Sequence, residues 1–125
     1  MHIVQSSPRL TLAAIAASVD IPTEVVEVPE WGGSVLVQGL TKAQAAAVFD
    51  ACMVEGVDQD GKPTKTVDAK KLEAELLLAC VVEPKLTAAD LAVLEAKANA
   101  PVQRVAMACV RVAGLDKDAY AKAKS

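Results

Sequence analysis

The residue types that most often carry chemistry are sparse in this chain and lie far apart. Three cysteines, Cys52, Cys80 and Cys109, fall within apolar stretches, and the one histidine is His2. No Cys-x-x-Cys pair occurs, and the odd count with wide spacing does not predict a disulfide framework. The cysteines are therefore interpreted as small buried hydrophobic residues of a protein in a reducing compartment.

Two segments invite comparison with ligand-binding loops, and both fail on spacing. An EF-hand loop centred on Gly61 requires an acid and a glutamate where the chain has Gly56 and Val67. The acids between residues 56 and 66 are therefore expected to support turns, in a polar loop. The glycine pair at positions 32 and 33 lacks the spacing and the following helix of a phosphate-binding loop.

Enzymatic activity is not expected from these residues. A nucleophile needs a neighbouring base, and the chain offers a single histidine at its start. No His-Glu-x-x-His pattern or other ligand cluster is present. Most carboxylates fall at helix starts or on faces expected to be solvated. We expect no catalytic residue, no cofactor and no metal ion.

Length and composition limit the fold and the partners. The 125 residues suit one domain, and 53% hydrophobic content suffices for a core. Because only three residues are aromatic, the core must consist of Ala, Val and Leu, and further stability is expected from a partner or self-association. A net charge of −3 with scattered basic residues argues against nucleic-acid binding. The sequence contains no uncharged apolar run of 18 residues, so a membrane span is not expected.

The first elements that the pattern predicts are a short helix and a β-hairpin. Residues 1–22 are expected to form the short helix or a variable arm, with Ser7 as N-cap and Pro8 following. Its apolar side would consist of Leu10, Leu12, Ile15 and Val19. Alternating β-branched residues then predict two strands within residues 23–38, joined at Trp31 and the glycine pair. A lone hairpin is marginal, so it must pack on helices or pair with another chain.

Four helices are expected after the hairpin, which makes the chain a mainly helical α+β domain of about four to five helices. The signals are capping boxes, prolines near helix starts and glycine near helix ends. The expected bounds are Thr41 to about Met53, about Ala69 to Val82, Thr87 to Asn99 as C-cap, and Pro101 at N1 to Gly114. The segment Leu76 to Val82 is apolar all round, which indicates a central helix or part of an interface. Residues 116–125 are expected to be a flexible tail.

The run from Val26 to Thr41, which contains Pro-Glu-Trp-Gly-Gly between two valine-rich strands and ends in Leu-Thr, resembles the opening of phage tail assembly chaperones. A polar Asp-Gly-Lys loop, the run Val-Glu-Pro-Lys-Leu-Thr and a last helix ending in Ala-Gly-Leu follow in the order typical of that family. The similarity lies within a domain expected over residues 23–115. The N-terminal arm and the lysine-rich end differ from the family.

The resemblance implies a protein of the host bacterial cytoplasm that binds the phage tape-measure protein, keeps it soluble and promotes tail-tube assembly around it. It also suggests the tail-tube protein, a frameshifted longer form of the chain and a second copy as further partners. Such a chaperone is not expected in the mature virion. The alternatives are a structural head-tail connector or tail completion protein, and an unrelated enzyme or ligand-binding protein with an enclosed polar pocket.

The partner-binding surface is expected on two predicted elements, the hairpin and the apolar helix. Trp31 is expected either to close the hairpin against the helices or to anchor a partner. Small apolar side chains suit a groove that receives an amphipathic helix, and many copies on one client would add avidity. On the hairpin the expected partner-binding residues are Trp31 and, at the hairpin edge, Val35 and Val37. On the helix they are Leu76, Leu77 and Val81.

Overall fold

A computed structural model describes residues 7–115 of the chain, so His2 and the tail expected over residues 116–125 lie outside the described residues. This part contains five helices: α1 (Leu12–Ala17), α2 (Lys42–Cys52), α3 (Ala69–Cys80), α4 (Leu91–Glu95) and α5 (Asn99–Val112). Its five strands are β1 (Thr23–Val28), β2 (Gly33–Gln38), β3 (Met53–Val57), β4 (Pro63–Val67) and β5 (Val81–Glu83). The prediction of an α+β domain with an N-terminal hairpin is confirmed.

The predicted hairpin forms and gains a third strand. β1 and β2 pair antiparallel, and a 3-10 turn over Pro29–Trp31 joins them. The turn ends at Gly32, whose φ of 77° lies in the left-handed region that glycine adopts without steric cost. β5 pairs antiparallel with the other side of β2, which gives the strand order β1-β2-β5. β2 is therefore the central strand of this sheet.

The helix expected over Ala69–Val82 ends two residues early, because its last two residues join the sheet as part of β5. α3 ends at Cys80, and Val81 begins β5. The β-branched pair at positions 81 and 82 prefers extended backbone, and β2 supplies partners for it at Leu36 and Val37. The expectation of an open hairpin edge near Val37 is therefore wrong, because β5 covers it.

The segment expected to be a polar loop over residues 56–66 belongs to a second hairpin. β3 and β4 pair along their whole length in a separate two-stranded sheet, and every residue of β3 is exposed. Lysines and a glycine interrupt the β-branched residues, which hides their strand pattern in the sequence. The expected turn role of the acids is confirmed at Asp58, whose Oδ1 accepts the N–H groups of Asp60 and Lys62 at 2.9 and 2.8 Å.

The core lies where α3 and α5 meet the three-stranded sheet. α5 packs against β1 and β2 on one side and against α3 on the other, and α2 packs on α3. α3 is thus the central helix, as the apolar segment predicted. Its buried residues are Leu72, Leu76, Leu77 and Cys80. The three cysteines are unbonded and buried, which confirms their interpretation as small core residues.

Most predicted helix signals form, but the C-cap expected at Asn99 is wrong, because α4 ends at Glu95 and Asn99 begins α5. The capping box at Thr41 is complete, with the N–H of Gln44 donating to Thr41 Oγ1 at 3.1 Å. The box at Thr87 also forms, but it opens a 3-10 turn over Ala88–Asp90 that precedes α4. Gly114 ends α5 with a φ of 74°, as predicted.

Two helix starts differ from the prediction. α1 begins at Leu12 after the N-cap Thr11, so the expected cap at Ser7 is wrong. The Thr11 hydroxyl provides the same bond to the first turn, because it accepts the N–H of Ala14 at 3.1 Å. α5 begins at Asn99 rather than at Pro101. A proline is tolerated there because the first four N–H groups of a helix have no partner within it.

Gly39 marks the closest approach between the sheet and α5. Its N–H donates to the carbonyl oxygen of Pro22 at 2.8 Å, which ties the end of β2 to the residue before β1. A Cβ atom at this position would lie 2.3 Å from the carbonyl oxygen of Val112 at the end of α5. A glycine at this position therefore allows the backbones to pack without a side chain between them.

Candidate partner-binding groove

A groove opens between the turn of the first hairpin and α4. It has a volume of 410 Å³ and is lined mainly by apolar side chains. Its buried floor comes from α3, β5 and α5, and its walls come from the hairpin, from the segment after β5 and from α4. The apolar side chains that line it are Trp31, Val35, Leu77, Val81, Leu86, Val93, Leu94, Val102 and Val105.

Four of the six residues predicted to bind a partner meet in this groove. Leu77 and Val81 form part of the floor, and Trp31 and Val35 stand half-buried in a wall. These residues come from different elements, so the fold brings them together. The groove is therefore the one place where the predicted residues present a common surface.

The other two predicted residues belong to the core. Val37 and Leu76 are both 0% exposed and do not line the groove. Val37 lies in the central strand, and Leu76 lies in the central helix. A partner cannot contact either side chain, so their assignment to a binding surface is wrong.

Trp31 packs the hairpin turn against the core, and its role as a partner anchor stays a prediction. It is the last residue of the 3-10 turn, and its ring packs against the hydrophobic core while remaining half-buried. The rest of the ring faces the groove. A large, partly desolvated aromatic ring in a concave site is typical of residues that dominate binding energy.

The groove also contains residues that the sequence did not single out, from the C-terminal half of the chain. Leu94 of α4 and Val102 of α5 both line it. Val93 lies off the Leu91–Leu94 side of α4 and is 59% exposed. A β-branched apolar residue on the exposed side of a short helix is the signal that could have identified this wall.

α4 divides a wider apolar area into two hollows. The second hollow has a volume of 680 Å³ and shares Leu77, Leu94 and Val102 with the groove. Its wall is more polar, since Gln103 Nε2 donates to both carboxylate oxygens of Glu73 at 3.0 and 3.1 Å. α4 itself contains no buried residue. This short helix therefore rests on an apolar floor that continues beneath it.

Charged residues around the groove are mainly basic. Lys85 and Lys97 lie at its rim, together with the carboxylate of Asp90. The Lys85 ammonium donates to the carbonyl oxygen of Leu78 at 3.1 Å, which holds this lysine across the end of α3. The N–H of Thr87 donates to Asp90 and keeps the pKa of that carboxyl below its ordinary value. Such a site suits an apolar helix face that is bordered by acids.

Two ion pairs fix the hairpin to α5 beside the groove. Arg104 donates from both terminal nitrogens to Glu30, each at 2.7 Å, directly before Trp31. Arg111 makes a similar contact with Glu24, one strand length away. These two-point contacts orient the hairpin on the helix more than they stabilise the fold, because both pairs are partly exposed to solvent.

Replacing Arg104 by Gln is expected to raise the pKa of Glu30 from about 2 toward its ordinary value. The hydrogen bonds from Arg104 are the main cause of the lowered pKa. Because the pKa is lower in the folded chain, the pair stabilises the fold above the ordinary carboxylate range. That stabilisation is lost as the pH falls toward about 2. Carboxyl carbon shifts recorded by NMR during an acid titration measure the change.

Arg111→Gln is the matched control, since it removes an arginine from the same helix and leaves the Glu30 contact intact. An unchanged Glu30 titration in Arg104→Gln would contradict the pairing.

The three cysteines do not line the groove, and in the buried pair Cys80–Cys109 the hydrogen bond lowers the pKa of Cys80. Burial raises the pKa of the Cys52 thiol, and the hydrogen bond with Cys80 together with burial raises the pKa of Cys109. Both thiols therefore keep their protons at neutral pH. Over residues 7–115 no three His, Cys, Asp or Glu side chains are grouped to hold a metal ion, and none of the helices is long and apolar enough to cross a membrane.

Comparison of the chain with protein-family models, with curated proteins and with solved structures finds no match. The basis for a functional proposal is therefore the geometry of the groove, together with the residues between Val26 and Thr41.

Proposed function

We propose that this chain is a phage tail assembly chaperone that binds apolar helical segments of a tape-measure protein. In this proposal it keeps that protein soluble in the host bacterial cytoplasm until tail-tube subunits polymerise around it, and it leaves before the virion is complete. The observation that carries the proposal is the 410 Å³ groove with Trp31 in its wall. An amphipathic helix binds such a groove through apolar residues spaced three or four positions apart.

The size of the groove's side chains fits a client that must be released later. Its floor consists of Val and Leu residues, so each contact buries little apolar area and stabilises the complex modestly. A long helical client offers many similar stripes, and many bound copies add avidity without a strong single contact. Tail-tube subunits could then displace the copies one at a time. The tail-tube protein and a longer frameshifted form of the chain remain proposed partners.

Val93→Glu is expected to weaken client binding about tenfold or more, because it places a charge in the apolar wall of the groove. The variant should fold normally, since Val93 is exposed and glutamate is a good helix former. The test is co-expression with a candidate tape-measure protein, which is sought as a very long, helix-rich product of a neighbouring reading frame. The soluble fraction of that protein and its retention on the tagged chain are measured.

Val25→Glu is the matched control. Val25 and Val93 are almost equally exposed, at 58% and 59%. Val25, however, lies on the face of β1 opposite the buried Val26 and Val28. Equal client solubility with both variants would contradict the groove as the binding site.

Recovery of the chain in purified virions would favour a head-tail connector or tail completion protein. Leu77→Asp is a poorer probe, because Leu77 is 4% exposed and its replacement would unfold the core.

A further inference from the structure

The N-terminal helix α1 is an apolar element that none of the described residues, 7–115, covers. None of its residues is buried. Its apolar residues Leu12 and Ile15 are 81% and 51% exposed. The stretch from Leu10 to Val19 has no charged residue, and Val19 is 98% exposed. An isolated helix of this length is not stable in water, because nucleation costs more than so few hydrogen bonds return. Its apolar side therefore requires a surface to cover it.

The groove has the polarity and charge that such a segment needs. Its lining is mainly apolar, which matches the uncharged stretch, and it opens between the hairpin turn and α4. Arg9 and Asp20 border the stretch at its two ends. The groove rim carries the opposite charges, an acid at Asp90 and bases at Lys85 and Lys97. Both the apolar centre and the charged ends are therefore complementary.

The position at which the segment joins the domain favours a second copy as the acceptor. Pro22 is tied to Gly39, beside the end of α5 at Val112. The groove lies toward the other end of the hairpin, at Trp31. The six residues of β1 separate these ends by about 17 Å, at about 3.4 Å per residue. α1 stands fully exposed at its own end of the sheet, so another molecule's groove is the accessible one.

We infer that α1 of one copy binds in the groove of a second copy, and that the reciprocal contact makes a symmetric dimer. Each copy then contributes the apolar side of α1, with Leu12 and Ile15, and the thirteen residues that line its groove. Client helices displace α1 from the same groove, a regulation that rests on the proposed function. The dimer thus protects the apolar groove until a client arrives.

Sedimentation equilibrium of the full chain tests the dimer. Ile15→Asp in α1 and Val93→Glu in the groove should each weaken self-association about tenfold or more. Ala13→Asp is the matched control in α1, because position 13 faces away from Leu12 and Ile15 on the helix. Val25→Glu is the control outside the groove. Both control variants should dimerise as the original chain does.

Mixing the two disrupted variants identifies the contact. In an equimolar mixture, α1 of the Val93→Glu chain can bind the intact groove of the Ile15→Asp chain, so heterodimers should form more readily than either homodimer. A dimer built from two α1 helices would give no recovery, and that result would overturn the inference. A chain that stays monomeric at every concentration would also overturn the inference, whether α1 binds the groove of its own chain or no groove.

The two proposals can fail separately. If all four variants dimerise equally while Val93→Glu alone loses client solubilisation, the α1 contact is wrong and the client groove stands. If self-association responds as expected while client solubility does not, the chaperone proposal is wrong and the dimer stands.

Discussion

Gly39→Ala is expected to destabilise the domain by about 3 kcal/mol, which is severe for a chain of this size. The added Cβ would lie 2.3 Å from the carbonyl oxygen of Val112 and 2.9 Å from the Cδ of Pro22. The first of these atoms is backbone at the end of α5, so relief requires the sheet and the helix to separate. Urea unfolding followed by far-UV circular dichroism measures the loss, as a lower midpoint at an unchanged slope.

Gly33→Ala is the control for this prediction. Gly33 is the first residue of β2, whereas Gly39 directly follows that strand. The φ of Gly33 is not positive, and a Cβ there meets no atom within 4 Å. Its stability should therefore change by less than about 1 kcal/mol, with a small gain from the reduced freedom of the unfolded chain. Equal midpoints for the two variants would show that β2 and α5 lie farther apart than described.

Leu76→Ala is expected to cost about 2–5 kcal/mol, as removal of a fully buried leucine does elsewhere. Leu76 is the largest side chain in the core with 0% exposure, and it lies on the helix between α2 and α5. Apart from Leu72 and Leu77, the rest of the buried core consists of Val, Ala and Cys, whose short side chains cannot reach into the cavity. Urea unfolding again gives the free energy of unfolding.

Leu12→Ala makes the same change at a position that is 81% exposed, and it should shift stability by less than about 0.5 kcal/mol. Both variants are compared at a dilution at which the chain is monomeric. A loss at Leu76 no larger than the loss at Leu12 would remove α3 from the centre of the core.

Elements with local signals were predictable from the sequence, and elements that depend on distant pairing were not. The capping box at Thr41, the helix stop at Gly114 and the turn at Trp31 each follow from a few adjacent residues. β5 has only three residues, and it forms because β2, which lies far away in the chain, offers an unpaired edge. No local pattern in the sequence contains that information.

The candidate site shows the same division. Of the six residues predicted on the hairpin and the apolar helix, four line one groove, and one of these, Val81, lies in β5. Their role in binding stays a prediction. It could not separate Leu77 in the groove floor from Leu76 beneath it, because adjacent residues of an apolar helix differ only in what packs against them. The contribution of α4 was missed since its position depends on the floor beneath it.

The single tryptophan of the chain, Trp31, provides an optical probe without any label. Indole emission moves to shorter wavelengths when water leaves the ring, and this ring stands half-buried in the groove wall. Any helix that enters the groove would cover it further and shift the emission. A simple fluorescence titration with synthetic peptides could therefore rank candidate segments before a full-length client is purified.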